Sequence, residues 1–148
     1  MSEFIEYRLA QPTDLELLKQ VGDDLFDHPI LDPRAVEFLH DDRHLLMMAL
    51  ASEGVVGMAS GVIYVHPDKE PSLFINEVGV LEPFQGKGIG KELVQRLTAI
   101  AFEQQACKDA WVLTDKDNIA AQKTYLGAGG VPANQPAVLF EFQKKKPT

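Results

Sequence analysis

Gln85-Gly86-Lys87-Gly88-Ile89-Gly90-Lys91 follows directly on the apolar stretch 73–81 and leads directly into an amphipathic segment. Glycines at alternate positions remove the side chains that keep a ligand off the backbone, and they leave N–H groups free to converge on an anion. Leu93, Val94, Leu97, Ile100 and Ala101 recur with helical period, so the positive end of that helix points back at the loop. Strand, loop and helix together read as a pyrophosphate cradle, with Lys87 and Lys91 as mobile cations at its mouth. Other glycine signatures fit poorly. The spacing is G-x-G-x-G rather than the G-x-G-x-x-G of dinucleotide folds, and Lys91 precedes Glu92 rather than the hydroxyl a nucleoside-triphosphate loop needs. A flexible connection with no ligand is the plain alternative.

A second pattern lies about thirty residues further on. Asn118-Ile119-Ala120-Ala121-Gln122-Lys123-Thr124-Tyr125 leads to Gly129. Asn118 is a good N-cap, and Ala121 and Tyr125 stand three and seven positions on, along one side of a short helix. A slender ligand arm would run past the small residue and meet the phenol. A core tyrosine with its hydroxyl at the surface is the other reading.

Gln85-x-x-Gly88-x-Gly90 followed by Asn118-x-x-Ala121-x-x-x-Tyr125-x-x-x-Gly129 resembles the paired motifs of the GNAT superfamily of N-acetyltransferases, in the family's order and spacing. The resemblance covers the second half of the chain. It implies acetyl-coenzyme A as acyl donor, held by residues 85–91, by Asn118 and Tyr125, and by backbone amides around Val78 and Val80. One of those amides would polarise the acetyl carbonyl. No covalent acetyl-enzyme is required once amine and thioester are aligned.

Acetyl transfer sets its own proton requirements. An aliphatic amine with a pKa near ~10.4 is protonated at neutral pH, and freeing its lone pair costs roughly 4–5 kcal/mol. Glu77 is conspicuous as a carboxylate in an apolar strand just before the loop, and the family resemblance makes it the base. A strand glutamate paired with a basic neighbour or turned to solvent is the bland reading. The departing thiolate, whose acid titrates near ~8.5, needs a proton donor, and Tyr125 fits that role. Cys107, beyond the long helix, is a poor nucleophile. His40 and His44 form H-D-D-R-H rather than the H-E-x-x-H of zinc peptidases, with no third ligand, so no metal is expected.

The 148 residues, 45% of them hydrophobic, suit one domain spanning 1–148. A net charge of −8 disfavours nucleic acid as a partner, and Lys144-Lys145-Lys146 reads as a solvated tail. No signal segment or membrane span is legible, and a single cysteine suits a reducing compartment, so a soluble cytoplasmic protein is expected. The family also allows a homodimer.

The order of elements reads as a strand over 4–9, a helix from a capping box at Thr13-Asp14-Leu15-Glu16 to about residue 26, and a second helix opened by Asp32-Pro33 and reaching Leu39. Strands over 45–51 and 55–64 form a hairpin around Ser52-Glu53-Gly54. A polar loop with Pro67 and Pro71 then precedes the strand 73–81. After the glycine loop come a long helix to about Gln105, a strand over 110–114, the Asn118 helix and a last strand over 137–142. That order predicts an α/β GNAT fold, a mixed and mostly antiparallel sheet flanked by helices.

The partner of acetyl-coenzyme A is expected to be a small-molecule amine. Asp23, Asp24, Asp27, Asp32, Glu37, Asp41 and Asp42, between the first two strands, suit a cationic one, and His28 is a further candidate for the pocket. Stretches 44–61 and 72–80 are similar to aminoglycoside 3-N-acetyltransferases, which carry an aspartate in place of Glu77. Transfer to a protein or peptide amine, or non-catalytic sensing of acyl-coenzyme A, are the alternatives. Gly130 stands where the family often has an aromatic, and the run Gly127-Ala128-Gly129-Gly130 predicts a loose helix end after Tyr125.

Overall fold

Strand β2 (His44–Ala51) explains the layering of the molecule. Leu45, Met47 and Ala49 are buried toward one face, and Leu46 and Met48 toward the other. A continuous apolar run is what a strand covered on both sides requires. The computed structural model describes residues 4–145; Lys146 and the extreme ends of the 1–148 domain lie outside the described residues.

The sheet has the order β1 (Glu6–Leu9), β2, β3 (Gly54–His66), β4 (Lys69–Val80) and β5 (Asp109–Val112). Neighbours are antiparallel except β4 and β5, which run parallel. On one face α3 (Ile89–Gln104) buries Leu93 and Leu97 completely against Ala59, Leu73 and Ile75. On the other face α1 (Leu15–Lys19), α2 (Asp32–Leu39) and the irregular segment 20–31 cover Met48 and Met58. The short helix α4 (Ile119–Gly127) packs beside α3. The mixed, mostly antiparallel α/β architecture expected from the sequence is present.

Several boundaries differ from the sequence reading. The first helix ends at Lys19 instead of near residue 26, because 20–31 crosses over the sheet as turns. Its lead-in is a 3₁₀ turn, Pro12–Asp14, where the Asp14 carboxylate accepts from Gln11 N at 2.7 Å and receives both Arg8 guanidinium nitrogens at 2.7 and 2.8 Å. The expected capping box at Thr13 is therefore displaced by two residues. Asp32 is the first residue of α2 rather than its cap, which is Leu31. Pro71 lies within β4 and not in a loop, since β3 and β4 continue to a turn at Pro67-Asp68. The strand expected over 137–142 is absent. Residues 131–145 carry no regular structure, and Phe140 and Phe142 are 76% and 95% exposed.

Candidate active site

An extra residue in β4 sets the geometry of the site. Ser60 pairs with Glu77 and Gly61 with Ile75, so Asn76 is a β-bulge. Before it Leu73 and Ile75 face the α3 layer; after it Val78 and Val80 do. Side chains alternate along a strand, so without the bulge Glu77 would point into the α3 core. With it, Glu77 faces the opposite layer and lines a cleft of about 360 Å³ under the 20–31 segment and α2.

Pairing between β4 and β5 runs only from Ser72 with Asp109 to Ile75 with Val112, where the Ser72 hydroxyl donates to the Asp109 carboxylate. Among the described residues β4 then continues without a neighbour on that side to Val80. Leu81 N–H bonds Val56 O on β3 at 2.9 Å, so by strand alternation the N–H groups of Val78 and Val80 face the open edge. A second cleft, of about 530 Å³, opens there between β4, the glycine loop and α4.

The glycines of that loop differ in role. Gly86 and Gly88 have φ of +75° and +83°, and a Cβ on either would project into open space. Gly88 caps α3, and the first helical bond of α3 is Glu92 N to Gly88 O at 3.0 Å. The N–H groups of Ile89, Gly90 and Lys91 precede that bond and face the cleft mouth unbonded by the helix. This open, positive cradle fits a diphosphate. Gly90 serves packing, since a Cβ there would stand 3.4 Å from Thr124 Cγ2 of α4.

The other expected donor-site residues are distributed as follows. Gln85 lines the cleft, but its amide nitrogen donates to Val80 O at 2.8 Å, holding the loop to the strand. Lys91 lines the cleft with its stem beside Gly127. Lys87 does not; its ammonium lies 5.5 Å from the centroid of the Phe84 ring. Asn118 accepts from Ala121 N at 3.0 Å, capping α4 as its position predicted. Tyr125 lines the same cleft, and burial raises its phenol above the usual range, so it is neutral and able to donate.

The loose helix end expected after Tyr125 is corrected. Gly130 N–H bonds Tyr125 O at 2.8 Å and Gly129 N–H bonds Leu126 O at 3.1 Å, a Schellman cap with Gly129 at φ +104°. A Cβ at Gly130 would stand 2.9 Å from Tyr125 O, so the glycine that replaces the expected aromatic is what permits the cap.

In the cleft under the 20–31 segment, Glu77 Oε1 accepts from Asp27 N at 2.6 Å. Burial raises the Glu77 carboxyl; the Asp27 N–H opposes the shift, and the Asp27 carboxylate adds to it. A carboxylate so placed is a stronger base than a solvated one. The His28 ring also lines this cleft. Of the histidines weighed for metal, His40 Nδ1 lies 2.8 Å from Val36 O and His44 sits against Asp41. Among the described residues no three His, Cys, Asp or Glu side chains gather as a metal site. Cys107 is buried under α3, and burial pushes its thiol up, which suits packing rather than attack.

The family model described as Acetyltransferase (GNAT) family matches residues 7–129. The chain belongs to the GNAT acetyltransferase family. Solved structures with the same fold include the aminoglycoside N-acetyltransferase AAC(6')-Iy in complex with a CoA-S-monomethyl-acetylneamine bisubstrate analogue. That chain is 21% identical, with a TM-score of 0.78 over 95% of this chain and 99% of that one. An aminoglycoside acetyltransferase from an uncultured soil metagenomic sample, bound to sisomicin, gives a TM-score of 0.79 at 17% identity over 95% and 97%. The ribosomal-protein-alanine N-acetyltransferase of Brucella melitensis biovar Abortus 2308 gives 0.71 at 16% over 95% and 100%. No curated protein sequence matches the chain.

Three features of this GNAT acetyltransferase escaped the sequence reading. A Cβ at Gly79 would come within 2.3 Å of Leu25 O, so glycine there lets the 20–31 segment press onto β4 beside Glu77. A glycine between Val78 and Val80 inside a strand was the available signal. The Asp27 backbone contact and the Asn76 bulge left no comparable mark.

Proposed function

We propose that the protein transfers the acetyl group of acetyl-CoA directly to the primary amine of a small molecule, with Glu77 as general base and Tyr125 as proton donor. The observation that carries this reading is that consecutive residues of one strand line both clefts: Asn76 and Glu77 the acceptor side, Val78, Gly79 and Val80 the donor side. A thioester along the open edge of β4 would have its diphosphate at the α3 N-terminus, near Gly86 and Gly88, and its acyl end toward Glu77.

The ammonium gives one proton to Glu77, and the freed amine attacks the acetyl carbon to form the C–N bond. Collapse of the tetrahedral adduct breaks the C–S bond, and Tyr125 protonates the thiolate. Nitrogen loses its second proton, which restores the phenol. One proton is released per turnover.

The test is thiol release from acetyl-CoA by the wild type, Glu77→Gln and Tyr125→Phe, beside acetyl-CoA affinity. Large falls in turnover with unchanged affinity support both roles. Unchanged turnover in both variants refutes them, and wild-type binding without turnover of any amine turns the reading to a sensor.

The same proposal includes a homodimer in a cytoplasmic setting. Trp111 and Leu113 are exposed at the β5 edge, and Val138, Leu139, Phe140 and Phe142 are exposed in the C-terminal segment. An unpaired edge with apolar side chains is a pairing template, and the tail of a second copy supplies a complementary strand. Sedimentation of the wild type and a Phe140→Asp variant decides: dimer against monomer is expected, and a monomeric wild type contradicts it.

A further inference from the structure

We infer that the acceptor is a monoamine with an apolar aryl or alkyl body rather than a polycation. The inference rests on the acetyltransferase reading above and concerns the cleft that holds Glu77. Its walls are mainly apolar: Leu18, Phe26, Ile30, Leu31, Phe38 and Leu46 contribute from α1, the crossing segment, α2 and β2. Of the polar lining residues, Ser60, Asn76 and Glu77 belong to the sheet, Asp27 and His28 to the crossing segment, and Arg34 to α2.

Most of the acidic run that suggested a cationic acceptor stays outside this cleft. Of its carboxylates only Asp27 is among the lining residues. Asp32 approaches Lys19 at 3.7 Å and Asp41 pairs with Arg43 at 3.4 Å away from the cleft lining, and Glu37 pairs with Arg34 at the rim at 3.0 Å. Asp23, Asp24 and Asp42 are exposed. The lining set therefore presents the Glu77 and Asp27 carboxylates and His28, while the Arg34 guanidinium is neutralised by both Glu37 oxygens at 3.0 and 3.2 Å.

A single ammonium meets Glu77 with Asp27 alongside, and its apolar body displaces water from Phe26, Phe38 and Leu46. The further ammonium groups of a polyamine or an aminoglycoside would leave water to face apolar walls, with no carboxylate among the lining residues beyond Glu77 and Asp27. The volume of about 360 Å³ is at the small end for ligand pockets, which also favours a compact amine.

The test compares 2-phenylethylamine and n-hexylamine with spermidine and sisomicin as acceptors at saturating acetyl-CoA, reading thiol release by the full chain. The monoamines are expected to show at least a tenfold higher kcat/KM. Leu31→Asp adds a carboxylate at the rim, at a helix cap where Asp is well tolerated. It is expected to lower kcat/KM for 2-phenylethylamine several-fold and raise it for spermidine. A wild-type preference for spermidine or sisomicin overturns the inference while leaving acetyl transfer intact. Absence of turnover with every amine overturns the catalytic reading instead, and calorimetric binding of the same amines to the CoA-loaded protein then decides selectivity. Tighter binding of spermidine than of 2-phenylethylamine there overturns the inference.

Discussion

Glu77 Oε1 accepts a 2.6 Å hydrogen bond from the backbone N–H of Asp27, a contact between residues 50 positions apart in the chain. It joins the strand that leads into the glycine-loop cleft to the segment that roofs the Glu77 cleft. The bond stabilises the ionised carboxylate, yet burial outweighs it and the carboxyl is raised. Glu77 is thus oriented by one interaction and made more basic by another.

Activity should rise with pH through a limb above the ordinary carboxylate range, and Glu77→Gln should lose that limb with a fall in kcat of roughly 10²- to 10⁴-fold. The stability consequence has the opposite direction. A raised folded pKa contributes stability below the unfolded value that is lost as pH rises through the folded one. Glu77→Gln should therefore melt higher than the wild type at neutral pH. Stopped assays and thermal melts across pH 4–9 check both; a lower Tm for the variant at neutral pH would contradict the burial argument.

Gly79→Ala should injure the acceptor side selectively. Its Cβ would meet the Leu25 carbonyl at 2.3 Å, so the 20–31 segment must lift off β4 and loosen the Asp27 contact. The amine KM should rise and kcat fall about tenfold or more, as small misplacements of reacting groups do. Acetyl-CoA affinity should change little, and a loss confined to acetyl-CoA binding would count against this placement.

Gly88→Ala addresses the donor side. The residue keeps open space around it but must hold φ at +83°, which costs an L-residue about 1–2 kcal/mol. Denaturant unfolding should show that loss, and titration should show weakened acetyl-CoA binding. Unfolding at the wild-type midpoint would mean the loop conformation is wrong.

Asp14→Asn tests the clamp beneath α1. The Arg8 hydrogen bonds, opposed by desolvation and aided by Gln11 N–H, hold the Asp14 carboxyl below the ordinary range. A depressed pKa gives stability present above the unfolded value, near ~3.9, and lost as pH falls through the folded value. The substitution should cost about 2 kcal/mol at pH 7, as charged hydrogen bonds do, and the gap between variant and wild-type melts should close as pH is lowered below 4. A gap that persists in acid would assign the effect to packing.

What the sequence made legible was local. The Gly86-to-Gly90 loop, the α3 stripe from Leu93 to Ala101 and the Asn118 cap each follow from a short pattern, and each is found in place. Glu77 stands out in the sequence as a charge in an apolar strand, but its direction depends on the Asn76 bulge, which a period-two pattern does not show. The short first helix has a similar cause: apolar residues through Leu25 and Phe26 look helical, yet they are buried because the chain crosses the sheet there. The apolar residues of 137–142 have strand character but, among the described residues, no partner in the sheet. Charge counting over the β1–β2 segment pointed to a cationic acceptor but could not show which carboxylates face the cleft and which face outward.

Calorimetric titration of the folded protein with acetyl-CoA, beside Gly88→Glu, tests the central claim most directly. Micromolar binding by the wild type that is lost in the variant is the predicted result, since a glutamate at Gly88 puts bulk and negative charge into the diphosphate cradle. No binding by the wild type, or equal binding by both proteins, would contradict the assignment of the cleft between β4, the glycine loop and α4.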